Sequence, residues 1–213
     1  NRLGVWPHIG VMDLYSHDAD AMGAYRKLGF TTALITPHPD IISGSGDVVQ
    51  LSGKPLRSAT LAPQVTQILG FADLSGTNYS RGREYPGSPM GAVAMIRQTY
   101  MDADWYRERH ALNKQHPTKI KRVDFDPVLD AMGVLLDRKQ MWIFAVDTPN
   151  EIHHALDLAQ EFNQRIAILG GKEAWKVADR LAADNVPVIV SMDFADKPKL
   201  APKKLEDEKI YTT

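Results

Sequence analysis

The 213-residue chain contains no cysteine. That excludes disulfides, thiolate metal sites and a cysteine nucleophile. It leaves the compartment open, because cysteine-free proteins occur on both sides of a membrane. No run approaches the ~20 apolar residues of a membrane-spanning helix, so no span is expected. Charge of one sign is missing as well. A formal net charge of -1 gives no global electrostatic case for nucleic acid or an anionic membrane as partner. A Gly-Lys-Ser/Thr phosphate loop, a His-Glu-x-x-His zinc motif, a paired-glutamate motif and a Ser-His-Asp arrangement are all lacking. The chain opens at Asn1 without a charged-then-apolar leader. It is therefore expected to be processed or a fragment, and a soluble, exported, periplasmic destination stays open.

What is present is ordinary for a globular domain: 44% hydrophobic and 24% charged residues. Asp18 or Asp20 can cap a helix running to Leu28, with Gly29 placed to end it. Thr31–Thr36 and Val65–Phe71 read as strands. Between them, Ser43-Gly44-Ser45-Gly46 reads as a glycine-permitted hairpin or flap. It lacks the lysine, and the helix N-terminus behind it, that a phosphate site needs. Pro89 to about His110 reads as a long helix, and Asp126-Pro127 opens a shorter one. The last third is the clearest. Met141–Val146, Arg165–Leu169 and Val186–Val190 are apolar strands, and Thr148-Pro149-Asn150-Glu151 is a capping box between the first two. Strands alternating with helices predict a parallel sheet covered on both sides, either doubly wound or a (β/α)8 barrel. The visible strands are fewer than a full barrel requires. The segment 197–213, rich in Lys, Pro and Glu, reads as a polar, poorly ordered tail.

In either architecture chemistry belongs at the C-terminal ends of the strands. Asp147 ends one strand, where a carboxylate serves as a catalytic group or helps start the next helix. Gly170, Gly171 and Lys172 follow the next strand, and read as an anion or substrate contact or simply as a tight turn with a solvated lysine. His38 lies between two prolines after the first strand, and its neighbourhood is also explained by turn chemistry. His153 and His154 are adjacent on a helix and point apart, so they cannot chelate one metal together and are assigned to surface or helix packing.

Three blocks carry a resemblance. They are AYRKLGFTTALITPHPDIISGSGDVVQLSG (24–53), YPGSPMGAVAMIRQTYMDADWY (85–106) and NEIHHALDLAQEFNQRIAILGGKEAWKVADRLAADNVPVIVS (150–191). They resemble the metal-dependent amidohydrolase superfamily, and most of all its imidazolonepropionase-like branch. The resemblance implies a (β/α)8 TIM-barrel-like fold, with residues 1–196 as an incomplete barrel segment. It also implies hydrolysis of C–N bonds in cyclic amides or peptides with one or two metal ions, Zn or another divalent cation. The usual metal ligands are expected to be absent from this chain. The family's His-x-His would precede Asn1, Ala145 stands at a ligand-histidine position, and Gly170 and Gly171 stand where active relatives carry another. The final aspartate would lie beyond the chain unless Asp193 substitutes. No cofactor is therefore predicted for the chain alone, and it is expected to be inactive by itself. His38, Asp73, Asp147 and Asp193 would build at best a weak oxygen-rich metal site, better suited to Mg or Ca than to Zn. The alternative is a non-enzymatic small-molecule binding or scaffold module using the strand-end loops and the segment Tyr79–Tyr85. The expected partners are a small-molecule substrate or ligand, and either self-association or a partner segment completing the barrel.

Overall fold

In the computed structural model, the described residues are 3–16, 18–71 and 86–191. Asp73, the segment Tyr79–Tyr85, Asp193 and the tail 197–213 lie outside them. Helix α1 (Val11–Leu14) is followed by α2 (Ala19–Lys27), then strands β1 (Thr32–Ile35) and β2 (Ile42–Gln50). A short α3 (Leu56–Ala59) leads into β3 (Thr60–Gly70). Two helices, α4 (Pro89–Gln115) and α5 (Pro127–Leu136), separate β3 from β4 (Met141–Val146). The chain then runs through α6 (Pro149–Glu161), β5 (Ile166–Gly170), a 3-10 turn (Ala174–Val177), α7 (Ala178–Ala183) and β6 (Val188–Val190). The strands form one sheet in chain order, β1 to β6. The first three pair antiparallel, and β3 to β6 are parallel. The sheet is curled, a mixed α/β half-barrel.

Local chemistry sets the helix starts. Asp18 Oδ1 accepts from the backbone N–H of Asp20 and Ala21 at 3.0 and 2.9 Å. Asp126 caps α5 in the same way, and Ser88 Oγ accepts from Gly91 N at 3.1 Å at the head of α4. Gly29, at φ +96°, ends α2 in the left-handed region open to glycine.

The stretch 43–46 is not a flap. Ser43, Gly44, Ser45 and Gly46 lie inside β2 and are buried. Their glycines serve close approach rather than turning. The segment before α1 runs beside β2, bridging Val5 to Ile42 and Gly10 to Ser45. A Cβ on Gly44 would fall on the Ile9 carbonyl oxygen, and one on Gly46 would lie 2.7 Å from Thr66 Oγ1. Buried Gln67 holds the same stretch by donating its side-chain amide to the Ser43 and Gly44 carbonyls.

Alternation along the strands divides the core. Leu69, Trp142, Phe144, Ile166 and Ile168 face α4, α5 and α6 in the main cluster, while Ile68, Ile143 and Ala167 pack on the other face. Tyr100 of α4 stacks on Phe162 at 4.4 Å and meets Trp142 edge-on at 5.3 Å. Truncating a wholly buried ring such as Trp142 is worth about 3–5 kcal/mol.

Candidate functional site at the strand ends

β1 runs parallel to β3, because both are antiparallel to β2. The turn 36–41 therefore sits at the same end of the sheet as the C-terminal ends of β3, β4 and β5. A Cβ on Gly70, the last residue of β3, would lie 3.3 Å from the Asp40 carbonyl oxygen and 3.8 Å from Pro39 Cβ, so this turn closes over β3. Ser43 Oγ fixes the turn, donating to the His38 carbonyl at 3.0 Å and accepting from Asp40 N at 2.6 Å. His38 itself points out to solvent, with Nδ1 3.0 Å from the Pro39 carbonyl oxygen.

Asp147 follows β4 directly and is held from three directions. Its backbone N–H, and that of Thr148, donate to Glu151 Oε2 at 3.2 and 3.0 Å, and Thr148 Oγ1 accepts from Glu151 N at 3.5 Å. This is the capping box that opens α6. From β5, Gly171 N donates to the Val146 carbonyl at 2.8 Å and Glu173 N to the Asp147 carbonyl at 3.0 Å. The Asp147 carboxylate then reaches across the strands. Oδ2 pairs with Lys172 Nζ at 3.0 Å, and Oδ1 accepts from Lys172 N at 3.4 Å. The parallel register that sets Val146 beside Gly170 makes this contact possible.

The two glycines are dictated by the same arrangement. Gly170 has φ +96° and Gly171 φ +59°. A Cβ on Gly170 would lie 2.6 Å from Asp147 Oδ1, and one on Gly171 3.0 Å from Val188 Cγ1. Asp147, Gly170, Gly171 and Lys172, singled out separately in the sequence, are thus one cluster. The element after Lys172 is a four-residue 3-10 turn rather than a helix, so Lys172 does not open a helix. Ala145 is half-buried beside Gly70 and Leu169 on the other face of the sheet from Trp142 and Phe144. Among the described residues no group of three His, Asp or Glu side chains converges on a point where a metal ion could sit.

The two adjacent histidines serve packing. His153 Nδ1 receives a hydrogen bond from Arg180 Nη1 at 2.8 Å, and Arg180 Nη2 donates to Asp157 Oδ1 at 2.6 Å, joining α6 to α7. His154 meets the edge of Phe71 at 6.3 Å. Two features escaped the sequence reading. One is the Gln67 amide clasp on β2, which nothing in the spacing signals. The other is a cleft of about 320 Å³ at the opposite end of the sheet, lined by Tyr100, Arg107, Arg138, Phe162 and Gln164.

No family model and no curated protein matches the chain. Among solved structures it is similar to the crystal structure of an amidohydrolase from Thermotoga maritima MSB8. The TM-score is 0.77 at 22% sequence identity, over 91% of this chain and 51% of that one. The likeness establishes the fold, and the chain spans about half the length of that protein.

Proposed function

We propose that this chain is an amidohydrolase-like barrel half, related to metal-dependent hydrolases of C–N bonds, whose strand-end rim no longer carries the metal site. The fold likeness to the Thermotoga amidohydrolase supports the relationship. The imidazolonepropionase-like character rests on the sequence blocks alone. One observation carries the loss of the metal site: the Asp147 carboxylate, tied to Lys172, stands 2.6 Å from where a Cβ of residue 170 would be. A liganding side chain at position 170 and the present Asp147 conformer exclude one another. With Ala145 offering no donor and His38 turned to solvent, the described residues do not fit a zinc ion, which takes three or four converging donors. No hydrolytic step is derived through one.

On this reading Gly170, Gly171 and Lys172 form a contact for a small ligand beside the Asp147 ion pair, and the chain acts as a binding or scaffold element. Completion of the half-barrel by a further segment or a partner chain belongs to the same proposal. The test is metal analysis of protein purified and dialysed against Zn, together with a cyclic-amide hydrolysis assay. Substoichiometric, readily lost Zn and no hydrolysis above background are expected. Tight stoichiometric Zn that disappears in His38→Ala or Asp147→Ala would overturn the reading and make those residues ligands.

A further inference from the structure

Helices α2, α5, α6 and α7 end in one and the same motif. A backbone N–H just past the helix reaches back five residues to a carbonyl: Phe30 to Tyr25 at 3.2 Å, Lys139 to Val134 at 3.3 Å, Gln164 to Ala159 at 2.8 Å and Val186 to Leu181 at 2.9 Å. The residue before each donor is left-handed: Gly29 at φ +96°, Arg138 at +57°, Asn163 at +50° and Asn185 at +52°. Glycine and asparagine suit that conformation, and arginine does not. The backbone of α5 gives no reason for an arginine there. Strain of this kind persists where a side chain has a use, so the surroundings of Arg138 are informative.

Arg138 and Asn163 both line the cleft of about 320 Å³ at the end of the sheet opposite Asp147. With its amide oxygen turned to the guanidinium, Asn163 accepts from Arg138 Nη1 and Nη2 at 2.7 and 3.3 Å and steadies it without neutralising it. Arg138 meets no carboxylate among the described residues. The acidic side chains lining the cleft are already matched, Asp104 by Arg107 at 2.7 Å and Glu161 by Arg97 at 2.8 Å. One positive charge is left over. The apolar wall beside it is Leu136 and Phe162, both half-buried, and Phe162 is backed by the Tyr100 ring at 4.4 Å. Gln164, also lining the cleft, donates Nε2 to the Leu135 carbonyl at 2.8 Å, while its Oε1 is buried and accepts nothing. A cleft with an apolar wall and a few polar groups of defined sign is the usual form of a small-molecule site. We propose that it binds a small organic monocarboxylate, with the carboxylate on the Arg138 guanidinium and the apolar body on Leu136 and Phe162. A guanidinium edge matches a carboxylate with two parallel hydrogen bonds. A donor on the ligand would satisfy Gln164 Oε1. The Asp104 and Glu161 carboxylates disfavour a more highly charged anion.

Calorimetric titration of the 213-residue chain with hippurate, which joins a carboxylate, an amide N–H and a phenyl ring, tests this. Saturable binding of one hippurate per chain is expected. Hippurate methyl ester, with the same body and no charge, should bind at least about tenfold more weakly, as should hippurate to Arg138→Gln. Arg138→Gly should lose binding to the same degree and yet raise the urea midpoint, because glycine relieves the left-handed strain. Loss of binding there is thus separated from loss of folding. Absence of saturable binding overturns the proposal, and so does an ester that binds as well as the acid. Binding that survives Arg138→Gln, or that disappears in Lys172→Gln instead, places the probe elsewhere and overturns it too. Inorganic phosphate displacing hippurate at equal concentration would make this a general anion site and overturn the ligand class. A lowered midpoint in Arg138→Gly would show that the arginine serves the fold and not a ligand.

Discussion

At the residue scale the rim is set by mutual exclusion between Asp147 and Gly170. Gly170→Ala forces a side chain into the left-handed region at φ +96° and against Asp147 Oδ1. The expected loss is about 1–3 kcal/mol. Asp147→Ala removes the obstructing oxygen but not the backbone strain. The double variant should therefore be more stable than the two single losses added together predict. Strict additivity in urea titrations would show that Asp147 does not occupy the space over Gly170. The neighbouring cap gives a cleaner number. Thr148→Ala removes the acceptor for Glu151 N at the start of α6, and should lower stability by ~1 kcal/mol. An unchanged urea midpoint would mean that Glu151 alone holds that helix start.

At the element scale, α4 is tied to the core through Tyr100, wedged between Trp142 and Phe162. Burial pushes the Tyr100 phenol well above its usual range, while the Trp142 indole N–H works the other way as the smaller effect. The sign follows from linkage. The unfolded chain ionises this tyrosine near pH 10 and the folded chain does so only at higher pH, so the unfolded state holds fewer protons in between. The stability that Tyr100 contributes is fully present below about pH 10 and is lost as pH climbs towards the folded value. Tyr100→Phe should flatten the alkaline limb of a stability–pH curve, and a limb of unchanged slope would assign the loss to other groups. Helix caps were readable in advance because they are local. Asp18, Asp126 and Thr148 each bond within three residues along the chain. The buried placement of residues 43–46 was not readable, because glycine there answers to Ile9 and Thr66, neighbours distant in sequence. The strand ends at Asp147 and at Gly170 and Gly171 were legible from the β-α-β pattern. Their contact was not, since it depends on the register between β4 and β5.

At the scale of the whole molecule, the sheet has a strong centre and a weak rim. β4 is flanked by β3 and β5 over five paired positions on each side, and Trp142, Ile143, Phe144 and Val146 are all buried. Among the described residues β6 contributes three residues, pairs on one side only, and leaves Ile189 and Val190 exposed. Amide protection follows the free energy needed to open each hydrogen bond, and an edge strand with little buried apolar surface opens first. Native-state hydrogen exchange should therefore grade outward. β4 should exchange through global unfolding, β5 more slowly than β6, and Val190 among the fastest of the strand residues. The gradient also reads out barrel completion. If a further segment or a partner chain pairs with β6, its amides should slow towards those of β5 when that segment or chain is present. Concentration-dependent protection of β6 in the 213-residue chain alone would mean that a second copy covers this edge. In that case the shared surface would be the sheet.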